Sequence, residues 1–532
     1  MTLADPTPST AGFAGSTASP RLFEKHSPVT GASLGQFPIA DSEAVDAAVA
    51  RARAAFPGWR DTPLAVRLEA LNRGRQVLLE HADDYARKIA ADTGKPIFEA
   101  LMFEIAVVPL FLDHYLKRAP KVLARRKVST PLAMAGKSGY IEHFPRGVVG
   151  IIAPWNFPFQ LAVLPVISAL IGGNTVVLKP SEVTPIAGEV VADFFRRLGL
   201  PPGVVEVVGG DGSTGAALTR ANVDMLFFTG SVATGRKVAA AAAERPIPCE
   251  LELGGKDVFI VCADANLERA AEAAVYGSMG NCGQACVSVE RAMVVDSVHD
   301  RFIELVKRKL EKIKVGGPDE NADMGPMTFA KQLQTVERHV ESARQAGAKV
   351  LTGGQRLARA GLFYPPTLLT DIRPDMDIYR EETFGPVLPV IRVRDEEEAI
   401  RLANASEFGL VGSVWTQDLE KGLRIASRLE SGQVMVNDVY SSVGHPGLPF
   451  GGVRSSGIGR YHGDEGLLSF MNVKAILVDR GKADYDPIWY PYNNKLASAF
   501  EVFRGVAGKK LGSVIRGFLG LRKASIDGHD GK

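Results

Sequence analysis

Beyond Gly147 the chain alternates short, wholly apolar runs with helical patterns: GVVGIIAP, LAVLPVISALIGG, NTVVLKP, IAGEVVADFFRRLG, GVVEVVGG and DMLFFTG follow one another. A strand with no polar face has to be covered on both sides, and parallel neighbours need a crossover between them. The run therefore predicts a parallel sheet flanked by helices, an α/β arrangement. A second series, with DVFIVCA, RAMVVD, AKVLTGG and GSVWTQ, lies between Asp257 and about Asn437 and predicts a second α/β domain. Ahead of both, DSEAVDAAVARARAAFPGW opens on an Asp cap and repeats Val45, Ala48, Val49 and Ala52 at helical spacing. A further amphipathic run covers Leu64 to His81. RRKVSTPLAMAGKSGYIEHFPRG, around 125–147, alternates instead, and MNVKAILVDR near 471–480 is strand-like; such excursions pair with each other or with a neighbouring subunit.

With 532 residues, 46% of them hydrophobic, the chain has apolar material for about three structural units. Its 62 basic and 60 acidic residues are spread along the chain, which gives no footing for a nucleic-acid partner and favours a small molecule. The opening MTLADPTPSTAGFAGSTASP has no basic region followed by an apolar core and is rich in small and turn-forming residues. It reads as a mobile tail over residues 1–20, and four cysteines in so long a chain fit free thiols in a reducing cytoplasm. Cys282 and Cys286 have no second Cys or His pair at a matching interval, so no metal site is expected. The stretch from Arg146 to Lys179 lacks charge, yet Pro154, Pro158 and Pro165, with Trp155, Asn156, Gln160 and Asn174, interrupt it. Strand, loop, helix and strand fit it better than a spanning helix.

Two glycine-rich segments carry weak signals. Gly210-Asp211-Gly212-Ser213-Thr214-Gly215 matches G-x-G-x-x-G in letters, but Asp224 comes too early to be the acidic residue of a dinucleotide fingerprint. It reads as a turn into a helix. Gly230 to Lys237 approaches a nucleotide-triphosphate loop but lacks the Ser or Thr after the Lys. What remains is a strand, a turn and a helix start, either structural or able to hold a phosphate on exposed amides.

Three segments constrain the chemistry when read together: PWNFPF with Asn156, LELGGKD with Glu252, and GNCGQACVS with Cys286. In these the chain resembles the aldehyde dehydrogenase superfamily, from about Phe23 to Ile476. Leu251 to Asp257 fits the family pattern throughout and Gly283-Gln284-Ala285-Cys286 fits its nucleophile core, while Met279 stands where Phe is common. The resemblance implies that Cys286 attacks the aldehyde carbon, that the Asn156 amide and the Cys286 main-chain N–H receive the oxyanion, and that Glu252 activates the water that hydrolyses the thioester. A base with that task needs a carboxyl held nearer neutrality than an exposed Glu. Cys286 in turn needs an influence favouring thiolate, and the sequence names none. Cys282 lies outside the pattern and is assigned to packing or redox protection.

The resemblance also implies a Rossmann-like cofactor domain with a parallel sheet, a second α/β catalytic domain and a small β oligomerisation arm. The boundaries drawn are 21–124 and 147–253 for NAD binding, 254–469 for catalysis and 125–146 with 470–482 for oligomerisation. Lys179 and Glu182, in VLKPSE, are expected at the adenosine ribose, where a carboxylate accepts from both hydroxyls and repels a 2′-phosphate. NAD is therefore expected, with NADP as second choice. Gly230 and Ser231 are expected at the pyrophosphate, Glu382 and Phe384 at the nicotinamide end, and Ile152 and Trp155 among the cofactor contacts. Near the C-terminus, VNDV, LPFGG and YHG resemble the class 3 and fatty or coniferyl aldehyde branch, as does Leu164-Pro165. Phe157, Leu164 and Phe450 are expected to line a substrate pocket suited to an uncharged, medium or long aliphatic, or aromatic, aldehyde.

The extension at 483–532 combines aromatics, helical spacing at Leu511, Val514, Ile515 and Phe518, and the basic residues Lys509, Lys510, Arg516, Arg522 and Lys523. A basic amphipathic helix of this kind covers a pocket mouth, packs on a sister subunit in a homodimer or higher oligomer, or lies on an anionic membrane surface. Two other functions compete. A semialdehyde dehydrogenase would need a cation for the distal carboxylate, with Arg454 as candidate, and a catalytically silent structural relative would not need Cys286, Glu252 and Asn156 intact.

Overall fold

The apolar runs become the strands of two sheets in the computed structural model, which describes residues 21–131, 134, 136–482 and 484–529. The tail expected at 1–20 lies outside the described residues. In the first sheet the order is Gly457–Ile458, Cys249–Glu252, Met225–Thr229, Val148–Ile152, Thr175–Lys179 and Val205–Val207. All neighbours run parallel except Gly457–Ile458 against Cys249–Glu252. Val148–Ile152 and Thr175–Lys179 are buried along their whole length, as strands covered on both faces must be. The register sets Ile152 beside Lys179 and Phe228, and Thr229 beside Glu252. Four strands thus end along one C-terminal edge, where open parallel sheets take their ligands.

The second sheet has seven strands, ordered Lys349–Thr352, Thr367–Thr370, Val387–Val393, Val289–Val295, Asp257–Val261, Val411–Trp415 and Gln433–Val436. Only its first strand is antiparallel to its neighbour. Phe259, Met293, Val390 and Val414 form its buried centre.

Helices fall largely where the periodicity puts them. Asp41 accepts the Ala44 N–H at 2.9 Å and caps Ser42–Asp61, whose Val45, Ala48, Val49 and Ala52 are buried. The run expected over Leu64 to His81 is two helices, Leu64–Asn72 and Gly74–Thr93. The chain re-aims at Arg73 so that Gly74 meets Phe194, whose ring would stand 3.0 Å from a Cβ there. The two glycine-rich segments are turns into helices: Asp211 caps Gly212–Arg220, and Ser231 caps Val232–Ala243.

The chain divides into two compact units, one of residues up to Val122 with Pro145–Asn472 and one of Leu123–Phe144 with Val473–Lys532. The first holds both sheets. The strand excursions Arg126–Val128, Lys137–Pro145 and Met471–Asp479 form one three-stranded sheet with Lys137–Pro145 in the middle. In the second unit the helices Leu496–Ala507 and Leu511–His529 pack against each other. Among the described residues no helix is long and apolar enough to cross a membrane.

Candidate active site

Cys286 follows a tight 3₁₀ turn, Gly280–Gly283, in which Asn281 and Cys282 have φ of 52° and 57°. Non-glycine residues in this region are costly and persist only where surrounding contacts hold them. At Gly283, φ is 68° and a Cβ would collide with the Gly385 carbonyl oxygen, so a side chain there would push the turn away. Cys286 itself is half-buried. Burial pushes its thiol well above the ordinary range, the carboxyls of Glu382, Asp257 and Glu252 push in the same direction, and its own main-chain N–H opposes them. None of these influences is a cation. Cys282 is buried with its sulfur 3.7 Å from the Met327 sulfur, a packing contact, and both cysteines are free.

Glu252 ends its strand beside Thr229. It is buried, and neither carboxyl oxygen has a hydrogen-bond partner. Burial raises its pKa well above the usual carboxylate range, Glu250 adds to the rise, and Arg460 opposes it.

Asn156 is buried on the loop after Val148–Ile152. Among the described residues no hydrogen bond holds its side-chain amide, whereas its carbonyl accepts from Lys95 Nζ at 2.8 Å and from Asn281 Nδ2 at 2.9 Å. Lys95 pairs with Glu104 at 2.6 Å, and the other Glu104 oxygen accepts the Phe159 and Gln160 N–H groups at the start of the helix Gln160–Ile171. Glu99 accepts the Asn281 N–H at 2.9 Å, and burial lifts its carboxyl to about 7. Lys95, Glu104, Glu99 and Asn281 thus tie the Asn156 loop to the Cys286 turn. No local signal in the sequence marks them, because the contacts join segments far apart in the chain.

A similar support holds the other loop. Glu290 accepts the Thr383 N–H at 3.1 Å and the Phe384 N–H at 2.8 Å, and its charge is met by Lys256 at 2.5 Å. Phe384 adopts φ of 51°. Glu382 accepts the Gly255 N–H at 3.0 Å, and burial, reinforced by Glu290, lifts its carboxyl to about 8.

Two cavities meet at this point, both walled in part by Thr229, Glu252 and Cys286. The smaller, about 180 Å³, is lined by Trp155, Asn156, Gly230, Ser231, Glu382 and Phe384. It gathers six further residues singled out from the sequence. Ile152, Lys179 and Glu182 are not on its wall: the first two lie along the same sheet edge, and Glu182, 2.6 Å from Lys179 Nζ, borders a separate cleft beside Val183 and Phe329.

The larger cavity, about 350 Å³, is lined by Phe157, Gln160, Leu161, Tyr276, Val439 and Tyr440 and by the paired rings of Phe450 and Tyr461. Met102, Phe103, Ala106, Val107 and Leu110 also line it, from a π-helical stretch at Ala100–Ile105 and the helix after it. Irregular turns of this type recur at functional sites, and nothing in the amphipathic sequence of this segment announces one. Leu164 is a correction: it is buried one turn further into the helix Gln160–Ile171, and Leu161 takes the wall position. Among the described residues the wall carries no Lys, Arg or His. Lys95 lies 4.5 Å from the Phe157 ring but is engaged by Glu104. Arg454, the candidate for a distal carboxylate, is a second correction. It donates to the Asn404 and Ser406 carbonyls at 2.6 and 2.5 Å, pairs with Glu430 and is not on the wall.

Residues 14–476 match the aldehyde dehydrogenase family profile. A Methylomonas protein named 4,4'-diapolycopene aldehyde oxidase is 45% identical over 480 residues, which cover 90% of this chain and 89% of that protein. A Mycobacterium ulcerans (strain Agy99) protein provisionally named a succinate-semialdehyde dehydrogenase with NADP(+) is 38% identical over 454 residues, covering 85% and 87%. A solved Mycobacterium tuberculosis aldehyde dehydrogenase complexed with NAD+ superposes with a TM-score of 0.84 at 37% identity, covering 89% of this chain and 97% of that one.

Proposed function

Because this chain belongs to the aldehyde dehydrogenase family, we propose that it oxidises an uncharged, medium or long aliphatic, or aromatic, aldehyde to its carboxylic acid, with NAD preferred over NADP. The observation that carries this reading is the meeting of two unlike cavities at Cys286 and Glu252, one apolar and free of cations, the other bordered by Glu382, Ser231 and the start of a helix.

The aldehyde enters along the apolar wall and presents its carbonyl carbon to Cys286. Attack by the Cys286 thiolate forms the sulfur–carbon bond and places the charge on oxygen, where the Asn156 amide, without another partner among the described residues, and the Cys286 N–H receive it. The residues of the smaller cavity fit a nicotinamide dinucleotide, with Glu382 and Phe384 at the ring end and Gly230 and Ser231 at the pyrophosphate; Lys179, further along the same sheet edge, and Glu182 beside it, both outside that cavity, would meet the adenosine ribose. NAD, when bound, supplies the hydride acceptor and a positively charged ring beside a sulfur to which the chain brings no cation. Glu252 then takes a proton from the water that attacks the thioester carbon, the C–S bond breaks to release the acid and the Cys286 thiolate, and Glu252 passes its proton to solvent. In this reading residues 21–124 and 147–253 form the NAD-binding domain, and 254–469 the catalytic domain, which brings the nucleophile and adds Glu382 and Phe384 to the cofactor side. The exposed apolar side chains Val473, Leu477 and Val478, on an edge strand of the three-stranded sheet, support pairing with a second copy.

A carboxylate on the substrate would be desolvated opposite no cation, which costs several kcal/mol. Steady-state kcat/KM for saturated aldehydes of increasing length, set beside succinate semialdehyde and measured with NAD and with NADP, tests the reading. The expected result is a rise with chain length and a semialdehyde value lower by at least about 100-fold. Activity confined to the semialdehyde would refute it.

A further inference from the structure

We propose that the paired C-terminal helices, with the aromatic segment ahead of them, form an interfacial docking element for an anionic lipid bilayer. The inference concerns this element alone and does not depend on which aldehyde the enzyme oxidises.

The contact face of the pair combines small residues, Gly505, Gly517, Ala524 and Ser525, with the buried Val514 and Leu521. A Cβ added at Gly505 would stand 2.6 Å from the Val514 N, and one at Gly517 would stand 2.6 Å from the Val502 N and 2.9 Å from the Ser498 carbonyl oxygen. The backbones therefore approach closely at these two glycines, which receive Val514 and Val502, a mode associated with helices packed in lipid. Apart from Val514 and Leu521, which are buried, most large apolar side chains point outward. On Leu496–Ala507 these are Leu496, Phe500, Phe503 and Val506, spaced i, i+4, i+7 and i+10; on Leu511–His529 they are Leu511, Ile515, Leu519 and Ile526. Exposure reaches 71% at Leu496, 65% at Phe503 and 61% at Leu519. Burying each such side chain is worth about 1.5–3 kcal/mol, and a patch this extensive marks an interaction site.

Charge selects the occupant. Residues 496–529 hold six Lys and Arg, namely Arg504, Lys509, Lys510, Arg516, Arg522 and Lys523, against Glu501 and Asp527. Arg516 pairs with Glu501 at 3.2 Å, while Lys509, Lys510, Arg522 and Lys523 make no ion pair among the described residues. An excess of cations beside an apolar face matches anionic headgroups above an acyl layer. Ile488, Trp489, Tyr490 and Tyr492 precede the pair, all exposed, and Trp and Tyr are the side chains that favour the headgroup level. Neither helix is long and apolar enough to span, so the pair lies in the plane of the surface.

The test is co-sedimentation of the full-length enzyme with phosphatidylcholine vesicles, with and without phosphatidylserine, beside Trp489 emission. Binding is expected to require the anionic lipid, to weaken with salt, and to shift emission to the blue in the wild type but not in Trp489→Phe. Replacing Lys509, Lys510, Arg522 and Lys523 by Ala is expected to weaken it about fivefold per cation. A Phe503→Glu/Leu519→Glu variant is expected to abolish it while leaving oxidation of a short soluble aldehyde unchanged, which establishes that the enzyme remains folded. Active wild-type enzyme that stays in the supernatant with both vesicle types overturns the inference. So does a Phe503→Glu/Leu519→Glu variant that changes subunit number and still sediments, since the face would then belong to a second copy.

Discussion

Glu252 and Cys286 share a physical circumstance: each sits among carboxyls in a half-dry site, and each is held toward its protonated form. An acid whose pKa is raised is a base only over the upper part of the pH range, so both steps assigned to these residues are expected to quicken as pH rises toward the raised pKa values. Below the raised pKa the reactive fraction grows up to tenfold per pH unit. The steps separate in Glu252→Gln, which keeps a neutral group of the same shape. A burst of NADH near one per active site is expected to survive. Steady-state turnover is expected to fall about 10²–10⁴-fold and to lose most of its own pH dependence. Stopped-flow absorbance at several pH values reads both, and a variant that loses the burst as well would place Glu252 in acylation instead.

Among elements, the loops carrying Asn156, Cys286 and Phe384 are each held by buried charge rather than by regular structure. The Lys95–Glu104 pair reaches the Asn156 carbonyl from one side and the first N–H groups of Gln160–Ile171 from the other. Removing one member of a buried pair strands the other and costs about 3–5 kcal/mol, so Lys95→Met/Glu104→Gln is the informative variant. If Lys95 acts by aiming Asn156, the burst rate falls by up to about 100-fold with little change in KM. Adding the same pair of substitutions to Asn156→Ala then costs almost nothing further. A purely structural role would instead lower both backgrounds equally, and thermal melts of all four proteins distinguish the cases.

At the scale of the molecule, the reaction centre exists only where the two sheets face each other. Thr229 and Glu252 come from the edge of the first sheet, Cys286 and Glu382 from loops of the second, and the small cavity has walls from both. A dinucleotide bound there holds the two sheets together. At 100 times its Kd, NAD is expected to stabilise the folded protein by about 2.7 kcal/mol, seen as a rise in Tm. NADP at the same concentration is expected to give a smaller rise if Glu182, as proposed, meets the adenosine ribose and opposes a 2′-phosphate. In Glu182→Ser that gap should narrow, and equal shifts from both dinucleotides in the wild type would remove Glu182 from the adenosine end.

Both sheets, the capped helices and the segments around Asn156, Glu252 and Cys286 are local properties, set by apolar runs, by a capping Asp41 or by residues adjacent in the chain, and the sequence by itself determined them. The same holds for the family, since its motifs are contiguous. Tertiary structure decided what depends on distant segments meeting. Leu161 rather than Leu164 reaches the cavity because of where its helix is docked. Arg454 is spent on loop carbonyls that no spacing rule brings to it. The network around Lys95 and Glu99 joins its partners across up to 182 residues, from Glu99 to Asn281. A one-dimensional pattern records which side chains are apolar or charged, but the partner that fixes each of them is chosen only when the chain has folded.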